Sequence, residues 1–121
     1  SLEGAAAFDL RWTSEALGNV VNNAVKYTPA GGTVTVSAQM LGSFCRVDVT
    51  DTGPGIPEGE QGEIFNRFYR GAGTRTAEGL GLGLYLTRKI LTLQGGYIKV
   101  SSIPGSGSTF SLYLPRELSG V

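Results

Sequence analysis

Amide and amino side chains recur on one predicted helix at spacings that could hold a cation and a phosphate. Asn19, Asn22, Asn23 and Lys26 share a helix face, because they lie three, four and seven positions after the first of them. Asparagine is a poor helix former, so several in successive turns cost stability without adding to the core. A solvated polar face is the ordinary explanation. The alternative is chemical, because amide oxygens suit Mg²⁺, which takes further ligands from phosphates.

A carboxylate and two glycines follow a predicted strand in the run Asp51-Thr52-Gly53-Pro54-Gly55-Ile56-Pro57. Taken alone, this run is typical of an ordinary turn. An ionised carboxylate only accepts hydrogen bonds, however, and glycines beside it leave room for a flat ring. Asp51 could therefore accept the exocyclic amine of adenine, at the position where guanine carries a carbonyl.

Two further segments combine features that attract anions. In Ile64-Phe65-Asn66-Arg67-Phe68-Tyr69-Arg70 the phenylalanines are expected in the core, while the two arginines, three positions apart, can project towards an anion. Gly79-Leu80-Gly81-Leu82-Gly83-Leu84 leads into a predicted helix, whose free N–H groups favour phosphate. Its glycine spacing matches neither the dinucleotide fingerprint nor the Walker loop.

The elements that must position these residues are helices alternating with pairs of strands. Apolar spacing predicts a helix that is capped by Thr13 or Ser14 and ends near Tyr27. Its core-facing stripe is predicted to contain Ala16, Leu17, Val20, Val21, Ala24 and Val25.

Two alternating segments at 33–38 and 44–49 predict an antiparallel hairpin, and a second pair is predicted at 97–102 and 108–114. A short helix is expected around 61–68 and a longer one at 84–93. This order predicts a sheet with helices packed on one face.

The composition excludes several classes of function. Ten basic and ten acidic residues are scattered over 121 positions, so no nucleic-acid surface is indicated. The absence of histidine excludes histidine bases, histidine metal ligands and serine–histidine triads. The single cysteine, Cys45, is expected to be a buried, inert thiol. No apolar run approaches the roughly 20 residues that cross a bilayer and no signal peptide is visible, so we expect a cytoplasmic chain without membrane contact.

Taken in order, these motifs resemble those of the ATP-binding catalytic domain of sensor histidine kinases, in the superfamily shared by gyrase, the Hsp90 chaperone and MutL. Residues 19–29 are similar to the asparagine box, 51–55 to the first glycine box and 64–70 to the phenylalanine box. Residues 79–84 match the second glycine box, and Gly105-Ser106-Gly107-Ser108-Thr109-Phe110 matches the last. Together the five motifs span about residues 10–114, nearly the whole chain.

The resemblance implies an α/β fold, namely a two-layer α/β sandwich of the Bergerat ATP-binding type. In that fold a mixed, mostly antiparallel sheet backs three helices, and ATP lies between the helices and a lid, here at about residues 71–78. The lid is expected to become ordered when nucleotide binds. The implied domain covers residues 8–117, with a linker remnant at 1–7 and a C-terminal tail at 118–121.

The resemblance also implies roles for individual residues. Asn23 would bind Mg²⁺ through its amide oxygen, and Asp51 would accept the adenine amine. The implied catalytic set at the phosphates is Asn19, Lys26 and Arg70. The other implied nucleotide contacts are Tyr27, Gly53, Gly55, Ile56, Phe68, Gly79, Leu80, Gly81, Leu82, Gly83 and Thr109. Leu80 departs from the family, which often has threonine or serine at this position.

Asn19 bears on the type of reaction. Members that hydrolyse ATP commonly carry a glutamate one helical turn before the magnesium asparagine, where this chain has Asn19. An amide cannot take a proton from water at neutral pH, which favours transfer to a supplied nucleophile. In the kinases this nucleophile is a histidine on a separate dimerisation domain, and a response regulator follows.

Without histidine, the chain cannot carry the acceptor, so it is expected to be an excised or naturally split catalytic domain. The resemblance further implies that it is the cytoplasmic domain of a bacterial, membrane-bound sensor. The alternatives are a stand-alone serine kinase of the anti-sigma-factor type, an ATPase, or a nucleotide-sensing module without transfer activity.

Overall fold

A computed structural model describes residues 10–66 and 83–115, which form a helical layer on one face of an antiparallel sheet. Along the chain the described elements are α1 (Leu10–Tyr27), β1 (Val34–Leu41), β2 (Phe44–Asp51), a 3₁₀-helix (Glu58–Glu60), α2 (Gly83–Leu93), β3 (Tyr97–Ile103) and β4 (Gly107–Pro115). No helix in this part of the chain is long and apolar enough to cross a membrane.

The sheet confirms both predicted hairpins. Its strand order is β1-β2-β4-β3, and every pairing among these strands is antiparallel. Gly42 and Gly105 adopt positive φ at the two hairpin turns, with φ of 54° and 87°. The parallel pairing that a mixed sheet requires does not occur among the described strands.

The core lies between the sheet and the two α-helices. On the helix-facing side of the sheet, Val49 of β2 pairs with Phe110 of β4, and both are buried. Val20 and Ala24 of α1 and Leu91 of α2 pack onto this centre. Cys45 is buried on the same side of β2, as predicted.

The prediction for α1 is correct at the C-terminus and wrong at the N-terminus. The helix ends at Tyr27 and is already helical at Leu10, so Thr13 and Ser14 lie inside it and cap nothing. Thr13 is accommodated there because its hydroxyl accepts a hydrogen bond from Gln94 Nε2 at 3.3 Å. The predicted apolar stripe is also too wide, because Val25 is exposed, one 100° step beyond the buried Ala24.

The two α-helices run antiparallel and contact each other through polar groups. Thr87, fully buried in α2, donates its hydroxyl to the carbonyls of Gly83 at 2.9 Å and Ala16 at 3.3 Å. Further hydrogen bonds join the helices on either side of Thr87. Asn19 Nδ2 donates to the Gly83 carbonyl, and Gln94 Nε2, just after α2, donates to the Thr13 hydroxyl. The N-terminus of α2 is therefore adjacent to the middle of α1.

The segment predicted as a short helix at 61–68 is not an α-helix where it is described. The 3₁₀-helix precedes it, and turns continue to Phe65. The N–H groups of Glu63 and Asn66 bond three residues back, to Glu60 and Glu63, which is the 3₁₀ pattern. Phe65 is buried as predicted, whereas residues 67 and 68 lie outside the described residues.

The strand β1 is less buried than its alternating sequence predicts. Val36 pairs with Val49, and Met40 pairs with Cys45, so both lie on the helix-facing side of the sheet. Their exposed fractions are nevertheless 49% and 42%. The described helices therefore cover β2, β4 and β3, and leave most of β1 open.

Candidate functional site

A buried carboxylate stands at the end of β2. Asp51 is 9% exposed, and its Oδ1 accepts a hydrogen bond from the Gly53 N–H at 2.9 Å. Oδ2 has no hydrogen-bond partner among the described residues. Because buried polar atoms are nearly always hydrogen-bonded, this oxygen is available for a donor from a ligand or a water molecule.

The loop after Asp51 is fastened to the β3–β4 hairpin. The Gly105 N–H donates to the Pro54 carbonyl at 2.6 Å, and the Ile56 N–H donates to Ser102 Oγ at 2.8 Å. Gln61 Nε2 donates to the carbonyls of Ile56 at 2.9 Å and Ser102 at 3.2 Å. The loop is thus held in place before any ligand arrives.

Backbone packing alone explains the glycines of this loop. Gly55 has φ of +77°, and a Cβ there would lie 2.5 Å from the Ile103 carbonyl oxygen. A Cβ on Gly53 would lie 2.9 Å from the Tyr27 carbonyl oxygen, at the end of α1. Both positions need glycine for close backbone approach. Their predicted role of making room for a ring stays a prediction.

The asparagine stripe of α1 faces the start of α2. Asn19 is half-buried and donates from Nδ2 to the Gly83 carbonyl at 3.5 Å, a long contact. Asn23 is half-buried and has no hydrogen-bond partner among the described residues. Asn22 and Lys26 are exposed, and Lys26 Nζ lies 5.6 Å from the centre of the Tyr27 ring. The structure therefore brings the asparagine box and the helix after the second glycine box together.

The donor set on α1 fits a cation that shares its ligands with phosphate. No group of three His, Cys, Asp or Glu side chains that could hold a metal occurs in residues 10–66 and 83–115. The amide oxygens of Asn19 and Asn23 are hard donors, but they are too few to complete the six ligands of Mg²⁺. Phosphate oxygens and water would have to supply the others.

Thr109 does not join these residues. Its hydroxyl lies 3.1 Å from that of Thr50, its partner across the strands, on the side of the sheet away from the helices. The adjacent Ser108 points to the helix side, is 6% exposed and pairs in register with Asp51. Ser108, and not Thr109, is therefore the hydroxyl beside Asp51, and the implied nucleotide contact of Thr109 stays a prediction.

Three residues near Asp51 were not predicted from the sequence, namely Ser108, Ser102 and Gln61. Ser108 is in phase with the buried Phe110 and Leu112, so strict period-two alternation assigns it to the core side. No comparable signal marks Ser102 or Gln61, because their hydrogen bonds join segments that are far apart in sequence.

Several predicted site residues lie outside the described residues. They are Phe68, Arg70, Gly79, Leu80, Gly81 and Leu82, together with the predicted lid. Of the second glycine box, Gly83 is the first residue of α2, and Leu84 packs against the core. A Cβ on Gly83 would meet nothing within 4 Å, so packing in the described chain does not require glycine there.

Comparison with known proteins identifies the family. Residues 9–118 match the model of the histidine kinase-, DNA gyrase B-, and HSP90-like ATPase family. The chain is 43% identical over 103 residues to the sensor protein DivL of Caulobacter vibrioides, covering 85% of this chain and 13% of DivL. It is 47% identical over 98 residues to the sensory kinase SasA of Rippkaea orientalis, covering 80% of this chain and 25% of SasA. It therefore spans about a quarter or less of these curated relatives.

Solved structures agree with this assignment. The mycobacterial sensor histidine kinase MprB superposes with a TM-score of 0.80 at 34% identity, over 89% of this chain and 74% of that one. Full-length ShkA superposes with a TM-score of 0.75 at 31% identity, over 88% of this chain and 22% of that one. The α/β fold expected from the motifs is confirmed. The chain thus belongs to the histidine kinase-, DNA gyrase B-, and HSP90-like ATPase family, as a catalytic domain of the sensor histidine kinase type.

Proposed function

We propose that this domain, at residues 8–117, binds Mg-ATP and donates the γ-phosphoryl group to a histidine on a separate dimerisation domain of a two-component sensor kinase. The observation that carries the proposal is the Asp51 carboxylate, buried at the end of β2 with Oδ1 held by Gly53 and Oδ2 without a partner in the described chain. A buried acceptor of this kind suits the adenine amine. In support, the similar ShkA was solved in complex with AMPPNP, an adenine nucleotide.

The phosphates would lie where α1 meets α2. The first-turn N–H groups of α2 have no partner within the helix, and the helix dipole favours an anion there. Asn19 contacts the first residue of this helix, and Asn23 and Lys26 follow on the same face of α1. Asn23, with Asn19 beside it, would hold Mg²⁺, which when bound supplies positive charge that offsets the charge of the triphosphate. Arg70 is proposed as a second cation at the phosphates.

The reaction proposed is transfer and not hydrolysis. Asn19 cannot act as a general base, because a side-chain amide does not take a proton from water at neutral pH. A histidine imidazole needs little activation, so the domain would act by aligning the reacting atoms and neutralising charge. The acceptor must come from another domain, because the 121 residues contain no histidine. A response regulator would receive the phosphoryl group next, on the cytoplasmic side of the membrane.

The test is to mix the full chain with ATP labelled at the γ-phosphate and the histidine-bearing helical hairpin of the parent kinase. We expect acid-labile label on the hairpin and none on a hairpin whose histidine is replaced by glutamine. Label on a serine of a small partner protein would instead identify a serine kinase of the anti-sigma-factor type. Release of inorganic phosphate alone would identify an ATPase. Either of these results, or no ATP binding at all, would overturn the proposal.

A further inference from the structure

The Ser102 hydroxyl is at the centre of three hydrogen-bond contacts beside the site. It receives the Ile56 N–H at 2.8 Å, lies 3.0 Å from the Gly107 carbonyl oxygen and lies 2.9 Å from Ser108 Oγ. A hydroxyl has one proton to donate and two lone pairs that accept. These three contacts are its full capacity, so each must take a defined direction.

Only one arrangement satisfies all three contacts. A carbonyl cannot donate, so the Ser102 proton goes to Gly107, and a backbone N–H cannot accept, so Ile56 occupies one lone pair of Ser102. The remaining lone pair of Ser102 must accept the proton of Ser108. The Ser108 oxygen makes no other hydrogen bond among the described residues, so its own lone pairs stay free to accept.

Ser108 and Asp51 are neighbours across the sheet. They form a register pair between β4 and β2, and both side chains lie on the buried, helix-facing side. Directly opposed residues of an antiparallel pair have Cβ atoms roughly 4.5–5.5 Å apart. Asp51 Oδ2 accepts only, and Ser108 Oγ accepts only as long as Ser102 holds its proton.

We infer that Ser102 is a specificity-determining positioning residue: it fixes the Ser108 proton away from the ligand, so that Asp51 and Ser108 present two adjacent acceptors that select an amine over a carbonyl. This inference rests on the proposed adenine role of Asp51. Without Ser102, the Ser108 hydroxyl is free to rotate and donate, and a purine with a carbonyl at the same position gains a partner. Ser102 itself does not touch the ligand.

The test compares ATP with inosine triphosphate, which carries a carbonyl in place of the adenine amine. Dissociation constants of the full chain are measured by calorimetry for the wild type, Ser102→Ala, Ser102→Thr and Gln61→Ala. We expect Ser102→Ala to lower the preference for ATP about five- to tenfold, the size of one hydrogen bond. Ser102→Thr keeps the hydroxyl and should keep the preference.

Gln61→Ala is the matched control for loop position. Gln61 fastens the same loop through the Ile56 and Ser102 carbonyls, and it does not touch either serine hydroxyl. Gln61→Ala should weaken the binding of ATP and of inosine triphosphate equally and leave the ratio of the two dissociation constants unchanged. A merely structural role of Ser102 predicts the same for Ser102→Ala, so an unchanged ratio there, or equal ratio changes in both variants, would overturn the inference.

Two outcomes separate this inference from the proposed function. If the wild type prefers ATP and Ser102→Ala keeps that preference, the inference fails and the proposed function stands. If the wild type binds no ATP, both fail. Should Ser102→Ala not fold, as judged by circular dichroism, Ser108→Ala removes the second acceptor and leaves the Ile56–Ser102 bond in place. It must lower the ATP preference to the same degree, and an unchanged preference would overturn the inference.

Discussion

The strand β2 carries two aspartates on opposite faces of the sheet, and only one has the properties of a binding residue. Asp48 lies on the face of the sheet away from the helices, and both of its oxygens have partners there. Ser111 Oγ donates to Oδ1 at 2.6 Å, and Arg46 Nε lies 3.0 Å from Oδ2. Asp51, three positions later, is buried with one oxygen unpartnered in the described chain. At the residue scale, two residues of the same type differ in their capacity to bind a ligand because one has both carboxylate oxygens hydrogen-bonded and the other, within the described residues, does not.

Asp51→Asn should reduce ATP affinity by tenfold or more in calorimetry, because the site loses a charge-assisted hydrogen bond worth about 1.5–3 kcal/mol. Asp48→Asn is the control, since it makes the same change on the same strand and faces away from the helices. It should leave ATP affinity at the wild-type value. Equal losses in the two variants, or wild-type affinity in Asp51→Asn, would exclude the adenine role of Asp51.

Asn23→Ala should weaken ATP binding much more with Mg²⁺ present than with a chelator, because the amide oxygen is lost as a metal ligand. The adjacent Asn22 is exposed, whereas Asn23 is half-buried, so Asn22→Ala should leave ATP affinity unchanged both with Mg²⁺ and with a chelator. Titrations of both variants with and without Mg²⁺ decide the point. A loss in Asn23→Ala that is the same in both conditions would rule out a metal ligand at this position.

The sequence predicts single residues well where a local pattern reports on them. Cys45 and Phe65 are buried as the patterns indicate. Thr109 is implied by the resemblance and not by the alternation of its strand, and the structure puts its hydroxyl and that of Ser108 on opposite faces. Ser102 and Gln61 were not predictable, because a serine or glutamine side chain gains its partner only when distant backbone arrives beside it.

At the scale of elements, α2 combines a core residue and a surface residue two positions apart. Leu91 is 0% exposed and packs in the central cluster, whereas Leu93 is 77% exposed. Leu91→Ala should lower the free energy of unfolding by about 2–5 kcal/mol, through lost burial and the cavity left behind. Leu93→Ala, the same deletion on the same helix, should change it by less than about 0.5 kcal/mol. Urea denaturation followed by circular dichroism measures both, and similar losses would mean that α2 packs through another face.

Elements were predictable to the extent that they depend on local sequence. The hairpins are correct because glycine turns and period-two alternation lie within the same short segments. The start of α1 was missed because Thr13 is a good capping residue, whose hydroxyl here accepts a hydrogen bond from Gln94, the residue after α2. The 3₁₀-helix at Glu58–Glu60 was missed because it contains no apolar residue whose spacing could indicate a helix.

At the scale of the whole molecule, the two layers differ in width. The described helices cover β2, β4 and β3, while Val36 and Met40 of β1 remain open to solvent on the side that should be the core. The alternation of β1 predicts which side faces inward, but it does not report whether a helix reaches that far. This explains why the strand was predicted correctly and its burial was not.

The uncovered β1 has a practical consequence for handling this chain. Its outer edge has no strand partner in residues 10–66 and 83–115, and the apolar side chains of Val36 and Met40 are exposed beside it. An unpaired edge with exposed apolar side chains favours pairing between the edge strands of two molecules. We expect the apparent molar mass from light scattering to rise with protein concentration, and Met40→Lys to suppress the rise. Thr35→Lys, on the opposite side of the same strand, is the control for added charge and should help less. A sample that stays monomeric at millimolar concentration would show that the edge is harmless. Otherwise, the shelf life of the purified domain is limited by the edge strand whose first residue, Val34, pairs with Asp51.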